Sequence, residues 1–265
     1  MRMELTISPK NKLDKFTLIK KHWVKEKIME NTPSNPKFGV LNLDTQKISR
    51  GLKKRGITGI FKLAVAYLSD YLFDFTHGTD TASWVALRAL NIDSENISHG
   101  GHYQPTHPLS LKNFLGKINL PKDKIIVDIG SGKGLVLMVA AEFGFKEIHG
   151  VEFSRDLCDI AEKNIAILKQ RARTTFNIKI ICADASIYPI QENEDVFYLC
   201  NPFDDVILEK IMNNIISSLE KHPRKLWIIY SYANHKEIIE KYPAFSIAMD
   251  FRSLSEDFTV YVNQE

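Results

Sequence analysis

Cysteine is scarce in this 265-residue sequence: Cys158, Cys182 and Cys200 are an odd number without C-x-x-C spacing. Neither a disulfide framework nor a cysteine-built zinc site is expected, and a reducing, cytoplasmic compartment suits the chain. Long apolar runs are missing as well. The most hydrophobic region, Ile57 to Phe75, is broken by Lys62, Asp70 and Asp74, so no integral membrane span is expected. Met1 to Ile28 alternates charge with apolar residues and shows no secretory signal. Internal repeats and low-complexity tracts are absent, and no sign of charge dominates, the formal net charge being +3. With 44% hydrophobic and 25% charged residues the sequence reads as a folded, water-soluble protein with little room for disorder.

The small net charge conceals an asymmetry. Residues 1–56 carry 14 Lys and Arg against 5 Asp and Glu, whereas residues 57–265 carry 21 against 27. The basic N-terminal segment is either a solvated helical face or a surface for an acidic or anionic partner: nucleic acid, a membrane surface or an acidic protein. Short helices there are interrupted by the turn-formers Asn31–Pro36. From Ile57, the apolar residues Ile57, Ile60, Phe61, Ala64, Leu68, Tyr71 and Leu72 recur at helical spacing, which predicts a helix whose apolar face packs on the core. The polar break His77–Thr81 follows, with Asp80 either capping a helix or reaching a substrate. His99–Pro108 is a loop by its Gly and Pro content.

Strand and helix patterns then alternate, which signifies a parallel sheet covered by helices. Strands are expected over 124–128, 147–152, 178–183, 196–200 and 226–231. Helices are expected over 134–143, 155–169 with Ser154 as cap, and 206–219. Residues 245–251 and 258–262 read as a closing hairpin. The division expected is a basic, mostly helical extension over 1–98 and a catalytic domain over 99–265.

Between the first strand and its helix lies Val127-Asp-Ile-Gly-Ser-Gly-Lys-Gly134, where an open α/β sheet binds ligands. A phosphate-binding P-loop would need glycine at Val127 and Ser or Thr at Gly134, and has neither. The spacing G-x-G-x-G also differs from the dinucleotide G-x-G-x-x-G, and Asp128 would set negative charge beside a pyrophosphate. A ligand with positive charge and no phosphate suits the loop better. S-adenosylmethionine, with a sulfonium and an amino group, is such a ligand.

Asp128-Ile-Gly-Ser-Gly-Lys-Gly134 resembles the first motif of class I S-adenosylmethionine-dependent methyltransferases, and later motifs of that family follow in order over about residues 100–262. The resemblance implies a seven-stranded, mostly parallel, doubly wound Rossmann-like sheet with an antiparallel last strand. It implies S-adenosyl-L-methionine as cofactor, held by Asp128 and the loop residues Gly130, Ser131 and Gly132. Glu152 would accept hydrogen bonds from both ribose hydroxyls, Phe153 would cover the adenine face, and Asp184 would accept from the adenine amine. Carboxylates only accept and these ligand groups donate. Tyr103-Gln-Pro-Thr106 resembles, more weakly, the pre-core loop of non-SET protein-lysine methyltransferases, which implies that Tyr103 and Thr106 close over the methionine end.

Asn201-Pro-Phe-Asp204 resembles the [D/N]-P-P-[F/Y] motif of amino-methylating enzymes, although one proline is missing. The resemblance makes Asn201, Pro202 and Phe203 the catalytic set, with Asn201 orienting a nitrogen acceptor and Phe203 facing cationic charge. His99, His102 and His107 offer three nitrogen ligands, but no helix presents them and methyl transfer to nitrogen needs no metal, so none is expected. The expected activity is N-methylation of an amine acceptor, a protein lysine among the candidates. The alternatives are an RNA or small-amine methyltransferase, or a binding module that retains the fold without catalysis.

Overall fold

The computed structural model describes residues 45–83, 106–172, 175–200, 203–254 and 256–264, with backbone alone over 45–55. The chain divides into two compact units, residues 1–53 and 54–265, and the second holds the whole sheet. The expectations for residues 1–44 and for Asn31–Pro36 lie outside the described residues, as do the expected domain boundary near 98, His99 and His102.

The described residues form seven strands: β1 Ile125–Ile129, β2 Glu147–Glu152, β3 Asn177–Cys182, β4 Glu194–Cys200, β5 Trp227–Ser231, β6 Phe245–Ser253 and β7 Glu256–Asn263. Their order is β3-β2-β1-β4-β5-β7-β6. The first five run parallel, and β7 inserts antiparallel between β5 and β6. This is the doubly wound sheet expected of a class I methyltransferase. Connections leave β1 toward β2 and β3 on one side, then return to β4 and β5 on the other. The switch point, and hence the ligand crevice, therefore lies outside the carboxyl ends of β1 and β4.

The central strands are mostly apolar because both faces are covered, and β1 is buried at all five positions. Successive side chains alternate between two apolar layers. Ile126, Val196 and Tyr198 meet helices α2 (Pro108–Leu115), α3 (Leu135–Glu142) and α4 (Arg155–Arg171) on one face. Val127, Ile129, Phe197 and Leu199 meet α5 (Asp205–Lys221) and α6 (Lys236–Glu240) on the other. Ser154 caps α4, accepting from the Leu157 amide at 3.4 Å, and Asp204 caps α5, accepting from the Ile207 amide at 3.2 Å.

Strand and helix positions agree with the sequence reading to within about two residues, but two short helices, α2 and α6, were not expected. The long helix α1, Thr45–His77, is broken at Gly56 by a non-helical φ of 65° and ψ of 173°. Its orientation corrects the sequence reading. Ile57, Phe61, Leu68, Tyr71 and Leu72, the face expected to pack on the core, are exposed, Ile57 to 77% and Phe61 to 70%. Ala66, Asp70 and Phe73 are buried instead. Polar contacts decide the matter: Asp70 pairs with His107 at 2.9 Å and His77 pairs with Glu142 of α3 at 2.7 Å. Facing the apolar stripe inward would leave these charged groups without their partners.

Candidate cofactor crevice and active site

Parallel pairing sets the carboxyl ends of β1, β2 and β3 side by side, with Asp128 opposite Gly150 and Glu152 opposite Cys182. The three acids singled out in the sequence stand there: Asp128 in β1, Glu152 closing β2, and Asp184 just after β3. The loop after β1 can fold down over β2 because Gly150 has no side chain. A Cβ at that position would lie 2.6 Å from Leu137 Cδ1 and 2.8 Å from Ser131 Oγ.

Glu152 braces this loop as well as bordering the crevice. One carboxylate oxygen accepts from the Gly132 amide at 2.9 Å and the other from the Ser154 amide at 2.9 Å. Gly132 presents that amide from a left-handed φ of 52°, a conformation that side chains disfavour. A carboxylate has about four acceptor sites, so with the Phe153 amide also bonded Glu152 retains capacity for about one further donor, such as a ribose hydroxyl. Asp184 accepts from the Ser186 amide at 2.8 Å and caps the short 3-10 turn Ala185–Ile187.

Burial pushes the Asp128 carboxyl well above the usual carboxylate range, and the Glu152 charge pushes it further. Glu152 is also raised by burial, although backbone amides of Ser154, Gly132 and Phe153 restrain the shift. Two buried acids beside each other resist an anionic ligand and favour a cationic one. Ser131 Oγ, in the same loop, is buried without a hydrogen-bond partner. Beside them lies a narrow cleft lined by Gly130, Val151, Phe153, Asp184, Phe203 and Ile207. These residues fit an adenosine moiety: apolar walls, an aromatic face and a carboxylate at the edge.

The cleft thus unites Gly130, Phe153, Asp184 and Phe203. Thr106 does not line it; its hydroxyl lies 3.0 Å from that of Tyr198 in β4. Tyr103, Asn201 and Pro202 lie outside the described residues. Asp80 caps no helix among the described residues; Lys133 Nζ donates to both its oxygens at 3.1 Å. His107 faces Asp70, and Glu256 accepts from its backbone amide at 2.9 Å. Among the described residues no group of three or more His, Cys, Asp or Glu is arranged to hold a metal ion.

Sequence reasoning missed Lys133, which is 1% exposed inside the glycine loop. It also missed the cluster of Asp70, His107 and Glu256. Lys133 was within the quoted motif, but its burial depends on Asp80, 53 residues earlier. Nothing local signals such a partner.

The sequence model of the family described as histone methylation protein DOT1 matches residues 90–222, half of the chain, and the chain belongs to this family. Its sheet is that of a class I S-adenosylmethionine-dependent methyltransferase. The chain is 28% identical over 173 residues to the probable S-adenosylmethionine-dependent methyltransferase CRG1 of Saccharomyces cerevisiae, covering 58% of this chain and 57% of that protein. It is 32% identical over 108 residues to the uncharacterized protein MJ1452 of Methanocaldococcus jannaschii, covering 40% of this chain and 39% of that one. Both matches span less than two thirds of the relative's length. A crystal structure of magnesium protoporphyrin IX methyltransferase from Synechocystis, with bound cofactor, aligns with 16% identity and a TM-score of 0.45, over 60% of this chain and 80% of that one.

Proposed function

We propose that the protein transfers a methyl group from S-adenosylmethionine to a nitrogen acceptor, with a protein lysine as the acceptor class. The observation carrying this reading is the buried pair Asp128 and Glu152 at the ends of adjacent strands, beside a cleft walled by Phe153, Asp184 and Phe203. Buried carboxylates favour a ligand with an amino group and a sulfonium over a pyrophosphate. When bound, S-adenosylmethionine supplies the electrophilic methyl group. The chain's own residues do the rest. Glu152 holds the ribose edge and the glycine loop, Asp184 fixes the adenine edge, and the apolar walls exclude water. Alignment of nucleophile, methyl carbon and sulfur then lowers the barrier through proximity.

Nitrogen is supported by Asn201-Pro-Phe-Asp204, which follows β4 directly and whose Phe203 lines the cleft. Asn201 accepts from the target amine and directs its lone pair. A lysine acceptor is supported by membership of a family described by histone methylation. Its amine, with an ordinary pKa near ~10.4, must arrive deprotonated, which a dry channel promotes. The test is a cell extract incubated with methyl-labelled cofactor, with and without the protein. Label recovered as methyl-lysine after protein hydrolysis is the expected result. Label in RNA would overturn the lysine assignment, and no labelled product in any fraction would overturn the enzyme reading.

A further inference from the structure

Cys158 and Cys182 meet directly behind the adenosine side of the crevice, their sulfurs 2.7 Å apart. Cys158 lies in the first turns of α4 and is fully buried, whereas Cys182 ends β3 and is half-buried. Cys158 touches the backbone of Glu152, and Cys182 pairs opposite Glu152 in the sheet. Cys158 Sγ lies 3.5 Å from the Glu152 carbonyl, which also accepts from the Ala183 amide at 2.9 Å. Asp184 is two residues beyond Cys182. The third thiol, Cys200, belongs to β4, and two strands separate β4 from β3 in the sheet. At about 4.8 Å per strand it is far outside bonding reach.

We propose that Cys158 and Cys182 are an oxidation site: a peroxide converts this thiol pair to a disulfide, and the bond alters the adenosine wall formed by Glu152 and Asp184. The redox coupling rests on the cofactor reading of the crevice; the oxidation site does not. Cys182 reacts first because it is the accessible sulfur, and burial together with the Cys182 hydrogen bond pushes the Cys158 thiol well above its ordinary range. The Cys182 sulfur attacks the peroxide O–O bond, giving a sulfenic acid and one molecule of water or alcohol. The Cys158 sulfur then displaces the hydroxyl, which leaves as water with the Cys158 thiol proton, and the S–S bond forms. Two electrons pass from the thiols to the peroxide. The sulfurs must close from 2.7 Å to about 2.05 Å, drawing the end of β3 toward α4 and removing the Cys158 S–H from the Glu152 carbonyl.

The experiment treats the full chain with hydrogen peroxide, then maps peptides by mass spectrometry and measures S-adenosylhomocysteine affinity by calorimetry. We expect a Cys158–Cys182 linked peptide, two mass units lost, and affinity at least threefold weaker, all reversed by dithiothreitol. Cys182→Ser is expected to form no link and keep its affinity through peroxide treatment. Failure to find the linked peptide, at peroxide levels that oxidise an accessible thiol, overturns the proposal. A complete disulfide with affinity changed less than twofold overturns the coupling. A reduced protein that binds no S-adenosylhomocysteine overturns the cofactor reading and the coupling with it, while the linked peptide still establishes the oxidation site.

Discussion

Removing the Glu152 carboxylate is expected to damage two things at once, and the structure gives a size for each. In Glu152→Ala, the Gly132 and Ser154 amides lose their acceptor, each bond being 2.9 Å in the wild type. An unsatisfied buried donor costs about 1–3 kcal/mol. Against this, the variant relieves the burial of a charged group, which already raises the Glu152 pKa. A net loss of roughly 1–3 kcal/mol in unfolding free energy follows. Cofactor affinity should fall by about 1.5–3 kcal/mol for the lost charged acceptor, a factor of about 10–150 in Kd. Glu152→Gln keeps one acceptor oxygen and turns an NH2 group toward a backbone donor, so it should resemble Ala in stability and lie between Ala and wild type in affinity. Urea unfolding and calorimetry with S-adenosylhomocysteine measure the two effects. The 2′-deoxyribose analogue separates direct contact from loop disorder: it should bind wild type more weakly than the parent compound and bind Glu152→Ala equally well. A folded Ala variant that keeps its affinity, or still discriminates the deoxy analogue, would refute Glu152 as the ribose ligand.

Two other expectations use different observables. Burial raises the Glu256 carboxyl to about 7, against an ordinary 4.5, so its contribution to stability is present below about pH 4.5 and lost as pH rises through 7. That shift corresponds to about 3 kcal/mol, and Glu256→Gln, which keeps an acceptor for the His107 amide, should lack this part of the slope in unfolding measured from pH 4 to 8; parallel curves for the two proteins would exclude it. Asn201→Ala should lower methyl transfer at least tenfold, about 1.4 kcal/mol, while leaving S-adenosylhomocysteine affinity within about twofold, and Asn201→Asp should retain part of the activity. Equal turnover by wild type and Asn201→Ala would remove that motif from the active site.

The sheet was legible in the sequence because its central strands are buried on both faces and therefore mostly apolar, as Ile125–Ile129 is at every position but Asp128. The crevice was legible for a related reason: a glycine loop and three acids each followed an apolar run, and parallel pairing had to bring those ends together. Helix α1 shows the limit. Helical spacing of Ile57, Phe61, Leu68 and Tyr71 reveals that an apolar face exists, but not where it points. Its rotation was decided by Asp70 and His77, whose partners His107 and Glu142 lie 37 and 65 residues away in sequence. Lys133 was opaque in the same way. The eight-residue α2 is too short for periodicity to declare itself, and Pro108 there opens a helix instead of closing a loop.

Charged side chains, more than apolar contact, fasten the segments that border the crevice. Lys133 ties the glycine loop to Asp80, and Asn164 of α4 bonds the backbone of both, at 3.0 Å to the Asp80 amide and 3.0 Å to the Lys133 carbonyl. His107 ties the chain beside Thr106 to Asp70 of α1 and Glu256 of β7. Pairs of this kind add little net stability, since desolvating both partners costs about as much as their attraction returns. Removing Asp70 or His107, however, costs about 3–5 kcal/mol, because the partner left behind is buried. Such bonds are directional, so they hold a loop in one place where apolar contact would tolerate sliding. Stability and positioning are thereby divided between two sets of residues: the two apolar layers hold the sheet, and the buried ion pairs hold the walls of the crevice.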